Sequence, residues 1–337
     1  MAPQCAGDKK LLRNGPARGF ARTAQAGFRP EMRPRARTGR DGRINQSMQF
    51  PALLAALAAF LFGAGVVVAR FGLRHVPGPV GASISIPFAC LLFWLAAPFM
   101  LDTSGANLPA LGLFVLVGLF FPTAVTLLLF ESIRRMGPTV AGSLSSTAAV
   151  FAVFTAIIFL GESLTVQIAL GTAAIVAGIV AFTGAQGEGT AGAARRWATW
   201  ALVFPLGSAA VRGIAQTLTK FGLTLWANPY AASLAGYTVS ATVVLLVTRP
   251  AVKRFGRIDP RAYPWFMGVG FCNGMGLFLT YTALRAGKVG IVAPIVTTAP
   301  LFTLILSWLF VHDERVTPRM LVGVGLTLLG ILAIILH

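Results

Sequence analysis

Arg212 is the residue best placed to do chemistry, because it stands well inside the apolar run 198–219, about 12 Å along a helix from Lys220. A charged side chain at membrane depth costs about 2.5–3.5 kcal/mol on insertion scales, so one that is kept there is a candidate for function. A guanidinium in that position can hold a carboxylate or a phosphate through paired hydrogen bonds. The plain alternative is an Arg that snorkels to the near interface or pairs with Glu131. An internal offset of 150 residues sets Arg212 against Phe62, so one half of the chain supplies a cation and the other an aromatic ring.

Other polar or helix-breaking residues fall near the same depth. Asn273 carries an amide that needs a partner in an apolar span, and Pro122 and Pro205 lie in comparable runs, where a bent helix would leave backbone groups open to solute. The same prolines also serve simple packing. Ser143, Ser145, Ser146 and Thr147 answer Thr297 and Thr298; such hydroxyls can bond a solute, and they also bond back to their own helix or let helices approach. Tyr237 and Tyr281 can stack on a solute or anchor helix ends at the interface. Glu131, at the end of the third predicted span, is the one acid that could serve within the membrane, and it lies three and four residues before Arg134 and Arg135. A local ion pair accounts for it, and coupling to protons is its alternative role.

The elements that must position these residues follow from hydropathy. Of 337 residues 56% are hydrophobic and only 11% charged, too little polar surface for a soluble domain of this size, so the bilayer is the expected solvent. A span needs roughly 20 apolar residues. Suitable runs are 50–69, 79–100, 109–130, 139–160 and 166–183, then 198–219, 229–248, 262–283, 289–310 and 318–336. This predicts an all-α integral membrane protein of ten transmembrane helices. The net charge of +18 does not imply nucleic acid, since eleven of the 28 Lys and Arg precede Met48 and the rest flank the runs. Cys5, Cys90 and Cys272 lack the paired spacings of metal or redox sites and read as packing residues.

Two sets of repeated residues divide the chain. Glu162, Thr165, Gly171 and Gly178 recur at the same spacings as Glu314, Thr317, Gly323 and Gly330. Arg70-Phe71-Gly72-Leu73 matches Lys220-Phe221-Gly222-Leu223, and Pro79 matches Pro229. The predicted domains are a disordered basic tail at 1–47, a first five-helix repeat at 48–183, a Gly-rich linker at 184–197 and a second repeat at 198–337. Met48, just ahead of the first span, is an alternative start that would leave the tail outside the native chain. Five spans per unit, an odd number, require the second unit to enter from the opposite side, so the repeats are expected to be inverted. Within the repeated motif, Thr165 and Thr317 read as helix N-caps, with each Glu near the positive end of the helix that follows.

With these marks in hand, the sequence after Met48 resembles the drug/metabolite transporter superfamily, and EamA-type ten-helix permeases in particular. The resemblance rests on Phe62-Gly63 with Arg70, on Gly213 with Lys220, and on helices closed by Gly161-Glu162 and Asp313-Glu314. It also rests on Ala299-Pro300-Leu301-Phe302 in the penultimate span, which adds Pro300 to the candidate hinges. The first repeat departs here, with Ala149-Val150-Phe151 and no Pro. The resemblance implies a transporter of the plasma or inner membrane that moves a small metabolite by alternating access, in export or exchange. A lipid flippase and a receptor or scaffold are the other readings. The expected partners are a small-molecule substrate and membrane lipids, with a homodimer left open; no cofactor, metal or enzymatic activity is expected. The candidate binding residues are thus Arg212, Asn273, Phe62, Tyr237 and Thr297, with Glu131 for coupling and Pro122, Pro205 and Pro300 as hinges.

Overall fold

Local sequence signals set the helix boundaries. Asn107 and Asn228 each accept a hydrogen bond from the backbone N–H three residues on, at 3.2 and 2.9 Å, and each is followed closely by a Pro that suits the first helical turn. Gly161 ends its helix in the left-handed conformation, at φ 62°, which a side chain would resist. In the computed structural model the described residues are 38–136, 144–163, 165–185, 202–311 and 318–335.

Among them are twelve helices and no strand. They are α1 (Thr38–Gly72), α2 (Gly78–Met100), α3 (Leu108–Phe120), α4 (Thr123–Met136), α5 (Ala148–Leu160) and α6 (Val166–Ala185) in the first repeat. The second holds α7 (Val203–Leu225), α8 (Pro229–Phe255), α9 (Ala262–Ala286), α10 (Val289–Val296), α11 (Ala299–Val311) and α12 (Pro318–Ile335). The chain divides into units 1–39 and 40–337, and of the first only Thr38 and Gly39 are described, as the opening of α1. Residues 38–47, expected to be part of an unstructured tail, are therefore helical. The rest of the tail, the linker core, Ser143, Glu314 and Thr317 lie outside the described residues.

Two spans are each built from two helices. α3 and α4 join at Phe121-Pro122, a cis peptide, and α10 and α11 join at Thr297-Thr298. Counting each pair once gives ten spans. Three stretches of single helix, Gln49–Gly72, Gly78–Met100 and Pro229–Phe255, and the composite stretches Leu108–Leu129 and Val289–Ser307 are long and apolar enough to cross a membrane. Ala148–Leu160, Val166–Ala181 and Val322–Ile334 are shorter apolar helices. Large apolar side chains such as Phe99, 90% exposed, Leu108 and Leu53 face outward. In a soluble protein that would be a liability, and in a bilayer it is the lipid-facing surface.

The packing reveals the inversion. A Cβ at Gly171 would lie 2.9 Å from the Gly330 carbonyl oxygen, and one at Gly178 would lie 2.6 Å from the Gly323 oxygen. Residue numbers rise along α6 while they fall along α12, so these equivalent helices of the two repeats run antiparallel. The two contacts are also images of each other under the repeat. The same twofold relates Gly63, where a Cβ would lie 2.8 Å from the Ala299 oxygen and Phe302 Cβ, to Gly213, where one would lie 2.9 Å from the Ala148 oxygen and 2.7 Å from Phe151 Cβ. Small residues let these backbones meet where lipid offers no hydrophobic drive for helix association.

Candidate functional site

α7 carries Arg212 in mid-span, and the repeat places its twin Phe62 at the matching level of α1. The close approach of α1 to α11 at Gly63, and of α7 to α5 at Gly213, brings these two helices to opposite sides of the pseudo-twofold. The Arg212 guanidinium carbon stands 5.3 Å from the centre of the Phe62 ring, a cation–π contact between twins. The residue as a whole is partly exposed, yet its Nε is enclosed and has no hydrogen-bond partner among the described residues. An enclosed donor of a charged group without an acceptor is costly, by about 1–3 kcal/mol or more. At that nitrogen Arg212 is therefore not satisfied by the described part of the protein.

α9 closes the third side. A Cβ at Gly276 would be 3.1 Å from the Phe62 ring, so glycine makes room for the aromatic that supports the cation. One turn earlier, Asn273 Oδ1 would lie 2.8 Å from a Cβ at Gly65, which puts the amide beside α1 about one turn beyond Phe62. Arg212, Phe62 and Asn273 thus stand on three helices around one locus. The arrangement offers a cation, a ring face and an amide, which suits a small solute with an anionic group and an apolar or aromatic body.

The other candidates lie elsewhere. Tyr237 is 2% exposed and stacks on Phe93 with ring centroids 5.4 Å apart, inside an aromatic cluster that includes Tyr230 and Phe278. Tyr281, also 2% exposed, is a core residue; neither tyrosine is an interface anchor. Thr297 and Thr298 are buried, and their hydroxyls donate back to the Pro294 and Ile295 carbonyls, each at 2.7 Å. Thr147 does the same to Leu144 at 2.6 Å. Pro122 lies at the break between α3 and α4, and Pro300 is the second residue of α11, just past the break after α10. Pro205 is buried in the first turn of α7, where Pro is tolerated without a bend. Glu131, on α4, is partly buried.

Two residues singled out only as repeat markers have unexpected partners. Glu162 does not turn to the helix that follows it; its carboxylate accepts the backbone N–H groups of Val289 at 2.9 Å and Gly290 at 3.1 Å, at the start of α10. Lys220 Nζ donates to the carbonyls of Leu284 at 2.6 Å and Gly287 at 2.8 Å, at the end of α9. Their recurrence in the sequence, with Glu314 and Arg70 as twins, was the available signal.

Residues 49–184 and 199–336 match the EamA-like transporter family, once per repeat. No curated protein matches. A solved structure described as "Crystal structure of protein" is similar over 84% of this chain and 95% of its own, with 13% identity and a TM-score of 0.71, which shows a shared fold.

Proposed function

From the premise that the chain belongs to the EamA-like transporter family, and is thus a multi-pass membrane transporter of the drug/metabolite type, we infer that it carries a small anionic metabolite. The observation that carries this reading is the enclosed, unpartnered Nε of Arg212 over the ring of its repeat twin. A carboxylate or phosphate supplies the missing acceptor, while Phe62 and Asn273 take the rest of the solute. Carriage proceeds by alternating access, the inverted repeats exchanging conformations so that the site between them opens to one side and then to the other. The site residues are Arg212, Phe62 and Asn273. Tyr237, in the aromatic cluster, and Thr297, bonded back to its own helix, stand apart from them, and Pro122 and Pro300 mark the breaks about which half-helices move. The plasma or inner membrane is the proposed location, with export or exchange as the mode.

The test is uptake into proteoliposomes from a labelled metabolite mixture, with internal solutes identified by mass spectrometry. Organic acids, amino acids or phosphate esters should enter vesicles with the wild-type protein. Entry should be lost with Arg212→Ala at matched reconstitution and partly retained with Arg212→Lys. Equal entry in all three, or entry of cations alone, would overturn the reading.

A further inference from the structure

Away from Arg212, at the face of the membrane where α7 and α9 end, three elements meet the turn Gly287–Lys288 that leads from α9 into α10. Glu162, just past the end of α5, gives one carboxylate oxygen to the Val289 N–H and the other to the Gly290 N–H, at 2.9 and 3.1 Å. The first N–H groups of a helix have no partners within it, and their positive end favours an anion. From the other side Lys220 binds the carbonyls of Leu284 and Gly287, the last of α9, where the helix end favours a cation. α1 seals the turn, since a Cβ at Gly287 would be 2.7 Å from Pro51 Cβ. Behind Glu162 lies a small cavity lined by Val153, Ile157, Ser163, Ile168 and Gly290.

Glu162 thus connects the two repeats, while Lys220 braces the turn from within the second. Glu162 belongs to the first, whereas α10 belongs to the second and is set off from α11 by the break at Thr297-Thr298. Eight residues long, α10 is a half-helix buried along its whole length. We propose that Glu162, with Lys220 bracing the turn it grips, is an inter-repeat latch that holds α10 against α5 and shuts the solute path at this face. The role in carriage rests on the transporter reading, but the latch can be read without any solute. It is made of charge-assisted hydrogen bonds, which are strong enough to hold a half-helix and local enough to break in one step.

The test places a single cysteine at Gly290, where a Cβ would lie 3.4 Å from Ile168 Cγ2 and 3.7 Å from Glu162 Oε2, ordinary contact distances. Cys5, Cys90 and Cys272 are first replaced by Ala. The full chain is set in lipid nanodiscs, which leave both faces open, and the rate of reaction with a membrane-impermeant maleimide is measured. Glu162→Ala should raise the rate about tenfold or more, the loss of two charge-assisted bonds amounting to at least that factor. Glu162→Gln keeps the volume and one acceptor and so guards against misfolding; it should raise the rate by a smaller factor, as should Lys220→Met. Parent-like labelling in Glu162→Gln and Lys220→Met would overturn the latch. Failure of metabolite uptake alone, with labelling as expected, would overturn the anion reading and leave the latch standing.

Discussion

The α6–α12 pair and the Arg212 locus both lie on the pseudo-twofold, and they treat it in opposite ways. In the pair, Gly171 and Gly178 are repeated as Gly323 and Gly330, and their two contacts are images of one another. At the locus the twins differ: Arg212 answers Phe62, and Asn273 answers Thr123, which is buried and donates to the Ser240 carbonyl at 3.0 Å. Identity is kept where two backbones must meet at close range, since any side chain on either copy would force them apart. It is lost at the proposed binding locus, where a solute without twofold symmetry would be gripped by unlike groups. Repeated residues therefore mark the scaffold, and broken repeats mark the proposed site.

The largest expected effect is on the scaffold. Gly178→Leu drives a side chain into the Gly323 carbonyl and the Thr327 hydroxyl, 2.6 and 2.4 Å from a Cβ. Overpacking costs about 1–3 kcal/mol even where neighbours can move, and backbone cannot move far. Most of the monodisperse peak in size-exclusion chromatography should be lost, and an intact peak would break the packing half of the comparison. Next comes Arg212→Met, which should reduce transport by about tenfold or more while raising the melting temperature, because it removes an enclosed donor whose lack of a partner costs about 1–3 kcal/mol. A drop in both would mean that Arg212 is a scaffold residue too. Phe62→Leu keeps the volume nearly constant and removes the ring face. With about 0.5–2 kcal/mol in such a contact, transport should fall by about two- to thirtyfold with the fold intact.

The smallest effect is expected in the loops. The Asp259 carboxyl lies below its ordinary range, chiefly because the Arg261 backbone N–H bonds it at 2.9 Å, with His75 adding a contact at 3.2 Å. A carboxyl whose pKa is lowered by folding stabilises the fold above its unfolded value, and that contribution is lost as pH falls through the folded one. Asp259→Asn should lower the melting temperature slightly at neutral pH and not at all under strong acid. Differential scanning fluorimetry across that range checks the sign.

Much of the fold was legible before any coordinates, because apolar runs and repeated Gly, Pro and Arg/Lys positions report directly on spans and on the twofold. Arg212 and Phe62 were legible for the same reason, as a charge in an apolar run and its repeat partner. Tyr237 was not, since an all-apolar span gives no sign of which face meets the core and which meets lipid. Glu162 was misread as belonging to its own following helix because its partners are 127 and 128 residues away, a distance at which periodicity carries no information. Pro205 was expected to hinge a helix that in fact begins at Val203. An uncertainty of two to four residues in a boundary separates a kink from a first turn.

The account depends most on Arg212 as an anion-binding group, and ligand-induced thermal stabilisation tests that most directly. The purified protein is melted against a panel of small carboxylates and phosphates, beside Arg212→Met. A ligand at about 100 times its Kd adds about 2.7 kcal/mol, enough for a clear rise in melting temperature. The expected result is that one or more anions stabilise the wild type and that the same anions leave Arg212→Met unmoved. Equal stabilisation of both proteins by those anions would contradict it.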